Sequence, residues 1–399
     1  MKITPEIIRA LAESRHTEVV GIRRHLHMYP ELSFCEVETS GYITDRLKAL
    51  GVPFRDRVAG TGIVATIEGK NPGKKVVALR ADMDALPIEE AGNATYKSTK
   101  AGIMHACGHD AHTASLLGAA SILLEIREDF EGTVKLIFQP GEEKLPGGAS
   151  MMIREGALKS PDVDCILGQH VMPQIPAGKV GFRSGVYMAS TDELYLKVKG
   201  KGGHGAMPHF NTDPVLIASH LIVAMQQIVS RVANPTVPSV LSFGKVIANG
   251  ATNVIPDSVW IEGTFRTLNE TWRKQAHERM LELAHQLVAS MGGELEFEIR
   301  KGYPVLVNDE RLTTTARKNA VMFLGEENVV DLDIWMAAED FAYFSHEKKA
   351  CFYRLGTRNE ARGITSSVHT PTFDIEEDAL KIGSGLLSWL ALCELDINH

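Results

Sequence analysis

Cysteine is scarce in this 399-residue chain, with five residues, Cys35, Cys107, Cys165, Cys351 and Cys393, odd in number and widely scattered. Such a set argues against a disulfide framework and for a reducing compartment, with the cytoplasm as the expected location. Positive charge is in deficit, 42 Lys and Arg against 50 Asp and Glu. With no basic stripe to meet a phosphate backbone, no nucleic-acid partner is expected. No run of about 18 apolar residues is apparent, so no membrane-spanning helix is expected. The opening MKITPEIIRALAESRHTEVV is charged throughout and lacks the apolar centre of a signal peptide. Internal repeats, low-complexity runs and long linkers are also missing, which leaves an ordinary globular chain long enough for two or three domains.

What is present divides into two patterns. Residues 6–16 and 36–50 read as amphipathic helices, 62–68 and 75–82 as strands, and 111–127 as a helix. VKLIFQ (134–139) and DCILGQ (164–169) are apolar enough to be strands buried on both faces. This alternation implies an α/β domain, a mostly parallel twisted sheet with helices on both faces. A second pattern runs from about 186 to 299. Strands at 191–200, 239–247, 258–267 and 293–301 and helices from Pro214 and over 270–290 follow the order β-α-β-β-α-β, expected of a ferredoxin-like α+β unit. Asp213 before Pro214 supplies the N-cap and first-turn proline of its first helix. The α/β pattern then resumes. The expected domains are therefore 1–185 with 300–399, interrupted by an inserted 186–299.

Ligand-type residues gather where an open α/β sheet places its sites, beyond the carboxyl ends of strands. Strand 75–82 leads into Asp82-Met83-Asp84, strand 134–139 into Gln139-Pro140-Gly141-Glu142-Glu143, and strand 164–169 into His170. The loop Met104–His112 carries Cys107 and His109 one residue apart across Gly108. Alone, a Cys-x-His pair is more often an ordinary loop. Several such groups at one end of one sheet point to a metal, and thiolate with imidazole favours zinc, nickel, cobalt or manganese over magnesium or calcium. Beside a metal, Glu143 can ligate while Glu142 takes a proton from an activated water. A cysteine hydrolase with Cys107 as nucleophile is the main rival in another class; it leaves Glu142, Glu143, His170 and His369 unused. His25, His27, His105, His112, Glu339 and Asp340 read as packing or supporting residues.

The segments RRHLHMYPELS (23–33), RADMDALPIEE (80–90), MHACGHDAH (104–112), FQPGEE (138–143), LGQHVMP (167–173), GGHGAMPH (202–209), TNVIPD (252–257), GTFRT (263–267), AEDFAYF (338–344) and SVHTPTFD (367–374) occur in this order. Together they resemble the N-acyl-amino-acid, hippurate and auxin-conjugate amidohydrolases of the aminoacylase and carboxypeptidase G metallopeptidase family. The resemblance covers almost the whole chain. It implies two divalent ions, Mn2+ or Zn2+ with Ni2+ or Co2+ as alternatives, held by Cys107, His109, Glu143, His170 and His369. It implies Glu142 as general acid/base and His204 as oxyanion stabiliser reaching a neighbouring subunit. Asn253 and Arg266 would hold the substrate carboxylate. The substrate would be a small N-acyl amino acid, and the inserted unit would serve as a lid and form a homodimer or higher oligomer. In the broader family a metal-binding histidine stands where Asp82 stands here, so Asp84 is read as orienting ligands, not ligating. A dipeptidase or carboxypeptidase of the same family, and a non-catalytic metal-binding protein, remain as alternatives.

Overall fold

The computed structural model describes residues 3–395. The chain forms two compact units. The first comprises the chain up to Gly185, Val307–Asp333, and the chain from Asp340 onward; the second comprises Val186–Leu306 and Ile334–Glu339.

The first unit is built on an eight-stranded sheet. Its first six strands in chain order are β1 (Phe54–Val58), β2 (Gly62–Glu68), β3 (Val76–Asp82), β4 (Thr133–Gln139), β5 (Cys165–Pro176) and β6 (Val180–Phe182). The spatial order is β1, β2, β4, β3, β5, then Lys349–Arg358, β6 and Val329–Asp331. The centre is parallel: β3 pairs with β4 and β5, and β5 with Lys349–Arg358, all in parallel. β1 and β2 continue it antiparallel on one side. Every residue of β3 and β4 is buried, as two-sided coverage requires. Helices α1 (Pro5–Met28) and α3 (His109–Glu125) and the C-terminal helix Ala379–Glu394 pack on one another.

Helix α1 is longer than the expected 6–16. Its buried stripe continues through Val19, Ile22, Arg23, Leu26 and His27. Two members of that stripe carry polar heads, which hides the helical period from a purely apolar reading. Strand β5 likewise runs past residue 169, so His170 lies within it. Strand β1 was not expected: its sequence FRDRV exposes its middle residues, as an edge strand does.

The second unit is a four-stranded antiparallel sheet in the order Ser239–Ile247, Ser258–Thr267, Ser190–Lys199, Glu294–Lys301. In Ser190–Lys199 alternate residues are buried, among them Leu194, Leu196 and Val198. Helices Pro214–Met225 and Glu270–Ser290 complete that core through Ile217, Leu221, Ala276 and Met280. Each buried Leu or Val here contributes about 1.5–3 kcal/mol relative to exposure. Asp213 accepts hydrogen bonds from the Val215 and Leu216 amides and so caps its helix. The helical stretch Pro214–Val232 is, by length and composition, apolar enough to cross a membrane. Part of that apolarity belongs to the face packed on the sheet.

Candidate metal centre

The turn at Gly108 brings Cys107 and His109 onto one side. Gly108 has φ of +84°, and a Cβ there would run into Val171. Only glycine satisfies both the left-handed backbone and the close approach of β5. His109 is then the first residue of α3. Its Nδ1–H donates to the Asp84 carbonyl oxygen at 2.9 Å, with Asp84 Oδ1 at 3.1 Å. A carbonyl only accepts, so Nδ1 carries a hydrogen, and in the neutral ring the lone pair lies on Nε2. That Nε2 is buried and has no hydrogen-bond partner among the described residues.

His170 is arranged in the same way. Its Nδ1–H donates to the Val171 carbonyl at 2.7 Å, and its Nε2 lies 3.4 Å from Cys107 Sγ. His369 arrives from the far end of the chain with φ of +61°, its amide donating to Ala106 O at 2.7 Å. Its Nε2 stands 3.3 Å from Cys107 Sγ and 3.1 Å from Glu143 Oε1. One donor atom from each of Cys107, His109 and His170 lies within 4.8 Å of the others. The same holds for Cys107, Glu143 and His369, and for His109, Glu142 and Glu143. The three sets overlap, and Cys107, His109 and Glu143 are common to two each.

The electrostatics favour a cation there. Burial pulls His109 down, but Asp82, Asp84 and Glu143 around it outweigh burial and raise it to about 10. Burial, then Glu143, Glu142 and Asp82, push the Cys107 thiol far up. Carboxylates dominate this pocket, and a divalent ion would take over the positive charge it favours while displacing the His109 Nε2 proton and the thiol proton. Burial and the Arg354 guanidinium keep His170 neutral, as a ligand must be. The donor set of thiolate, three imidazoles and a carboxylate therefore fits a pair of borderline transition ions.

The supporting groups are equally defined. Asp84 Oδ2 accepts from Ser33 Oγ at 2.7 Å and from the Glu143 amide at 2.9 Å. One carboxylate thus orients His109 and anchors the backbone of Glu143. Asp82 meets Arg80 Nη1 at 2.6 Å and His112 Nδ1 at 2.6 Å. Asp340 accepts from Arg80, Gln139 and the Ala149 amide. His105 is buried with neither ring nitrogen bonded among the described residues, and burial lowers it to about 4. His27 bonds Asp110 at 2.8 Å, and His25 stacks on Tyr42 with ring centres 4.0 Å apart. The Asp82–His112 contact has no signature in residue spacing, because it joins side chains 30 residues apart on a strand and a helix.

The remaining candidates belong to the second unit. His204 pairs with Val254 in a short antiparallel bridge, and the Gly205 amide donates to Asn253 O at 2.9 Å. This places the GGHGAMPH and TNVIPD segments side by side. The Ala206 amide donates to His204 Nδ1 at 3.0 Å, so in the neutral ring the exposed Nε2 carries the hydrogen. Arg266 is partly buried on strand Ser258–Thr267 and donates to Met336 O at 3.2 Å. Burial lowers its pKa.

Residues 78–392 match the family model described as peptidase family M20/M25/M40. The chain belongs to this family. It is 41% identical to a Bacillus subtilis N-acetyl-L-cysteine deacetylase, over 96% of this chain and 89% of the relative. It is also 41% identical to an N-acyl-L-amino acid amidohydrolase of Geobacillus stearothermophilus, over 77% of this chain and 83% of that one. Among solved structures it resembles a Bacillus subtilis protein described as a dinuclear metal-binding peptidase of the M20 family. The TM-score there is 0.82, with 35% identity over 96% of this chain and 99% of the other. As a member of the M20 family, the chain is a hydrolytic enzyme acting on amides.

Proposed function

We propose that the chain hydrolyses the amide bond of small N-acyl amino acids, with Cys107, His109, Glu143, His170 and His369 holding two divalent ions. The observation that carries this reading is that those five donors fall into overlapping groups, one of which includes Glu142. When bound, the ions supply Lewis acidity and lower the pKa of the attacking water.

Glu142 is the general base in this reading. It is 6% exposed, and one of its carboxylate oxygens falls within 4.8 Å of donor atoms of His109 and Glu143. A carboxylate so placed accepts the water proton as the new C–O bond forms. It then returns that proton to the departing nitrogen, so that a neutral amine leaves. Asp84 holds the backbone that aims this loop. His204, with Nε2–H free, is suited to donate to the developing oxyanion. Asn253 and Arg266 are assigned the substrate carboxylate, for which an arginine with no carboxylate partner among the described residues is well suited. The named relatives that cleave N-acyl amino acids support the substrate class.

The test is release of free amino acid from a panel of N-acyl amino acids and dipeptides. It uses chelated protein and protein reloaded separately with Mn2+, Zn2+, Co2+ and Ni2+. Metal-dependent release from the acyl series supports the reading. Cleavage of dipeptides alone would replace it with a peptidase, and metal binding without any cleavage would replace it with a binding protein.

A further inference from the structure

The loop Pro140–Glu143 carries both Glu142 and Glu143, and its turn depends on the peptide of Gly141. That residue has φ of +59°, and a Cβ on it would enter the ring of Phe34. Its carbonyl accepts from the Gly148 amide at 3.1 Å, within the same segment. Its amide points the other way and donates to Glu36 Oε1 at 2.8 Å, across 105 residues of sequence. The same oxygen accepts from the Phe34 amide at 2.9 Å, and Oε2 accepts from Thr61 Oγ1 at 2.7 Å.

Glu36 occupies the N-cap position of α2 (Val37–Leu50), yet its side chain makes no capping hydrogen bond. It is fully buried, and burial, together with nearby Asp84, raises its pKa. A buried carboxylate is costly, and a serine or aspartate would cap the helix at less cost. Phe34 beside it adopts φ of +66°, a backbone that a bulky residue rarely takes. The neighbouring Ser33 bonds Asp84, which in turn orients His109 and Glu143. Segment 33–36 therefore touches the centre through two separate contacts, and neither serves α2.

We propose that Glu36 is a positioning residue that fixes the Gly141 peptide and thereby aims the carboxylates of Glu142 and Glu143. The proposal rests on the roles given to those two glutamates above. Glu36 itself touches neither substrate nor ion; it acts through the loop.

The decisive variant is Glu36→Asp in the full-length protein, with Glu36→Gln as the conservative control. Aspartate is a better N-cap but one methylene shorter, so it withdraws the carboxylate from Gly141. Glutamine keeps one oxygen for the two amides and turns its NH2 toward the Thr61 hydroxyl, which can accept. With Mn2+-loaded protein, E36D is expected to lose about 10- to 100-fold in kcat, with KM little changed and the melting temperature kept or raised. Calorimetric Mn2+ titration is expected to show weakened binding in E36D and near-normal binding in E36Q, which also recovers most of kcat. Wild-type kcat and Mn2+ affinity in E36D would overturn the proposal, as would equal impairment of E36D and E36Q. If the parent protein cleaves no amide, the reading of Glu142 fails on its own. The Mn2+ titration then decides Glu36, with unchanged affinity in E36D overturning it.

Discussion

His112 joins Asp82 to the backbone beside His170: its Nε2 accepts the Val171 amide hydrogen at 2.8 Å, and its Nδ1–H donates to Asp82 Oδ1. Both nitrogens are thus committed, and the ring braces β5 where the proposed ligand His170 stands. His112→Phe keeps the volume and removes both bonds. It is expected to weaken Mn2+ binding by about 10- to 100-fold, because an orienting partner is lost. Calorimetric titration checks this; an unchanged isotherm would show that β5 holds His170 without help.

Glu142→Gln removes the base and keeps the shape of the loop. The variant is expected to bind Mn2+ with near-parental stoichiometry and to lose at least about 100-fold in kcat, the lower range for general acid–base catalysis. Steady-state kinetics on a cleaved N-acyl amino acid, alongside a metal assay, measure both quantities. Near-normal kcat in the metal-replete variant would remove Glu142 from the proposed role.

Arg23 is completely buried on α1 and bonds Asp110 and Asp374, each at 2.8 Å. Asp110 follows His109 in sequence, and Asp374 lies a few residues after His369. Breaking a buried pair strands the remaining carboxylates, so Arg23→Ala is expected to cost about 3–5 kcal/mol. Urea unfolding of the metal-free protein would show this as a lower midpoint, and a shift within experimental error would contradict it.

Asp192 in the second unit accepts from Arg273 Nε at 2.9 Å and from His277 Nε2 at 2.6 Å. Burial pushes its pKa up, but hydrogen bonds from His277 and Arg273 outweigh this and hold it below the usual carboxylate range. The native state therefore binds this proton less readily than the unfolded chain. Its stabilisation is complete above the unfolded value of about 3.9 and is lost as pH falls through the lower native value. The stability gap between the parent and Asp192→Asn is expected to be widest near neutrality and to shrink below about pH 4. Melting curves of both proteins across that range test the sign.

The sheet and the second unit were readable because their signals are local. KVVALRAD and VKLIFQ are buried on both faces and carry no polar alternation, while LYLKV alternates with its pleat. The ligand groups were suggested by their places after strands. The role of His369 came only from family resemblance, since nothing in local spacing links it to Cys107. Arg23 and Glu36, and the partners of His112, escaped for a shared reason. Each of these three is a polar residue that is fully buried, and its partners lie at distant positions or on the backbone. Neither apolar periodicity nor residue spacing encodes such contacts, and only the folded chain brings them together.

Cys107 and His369 touch across 262 residues of sequence. During synthesis the earlier donors emerge long before the last, and the intervening chain includes the whole inserted sheet. A nascent chain stopped after the insertion would hold Cys107, His109, Glu143 and His170 but not His369. In the proposed centre, full-affinity ion capture would thus require that the C-terminal quarter has emerged and docked.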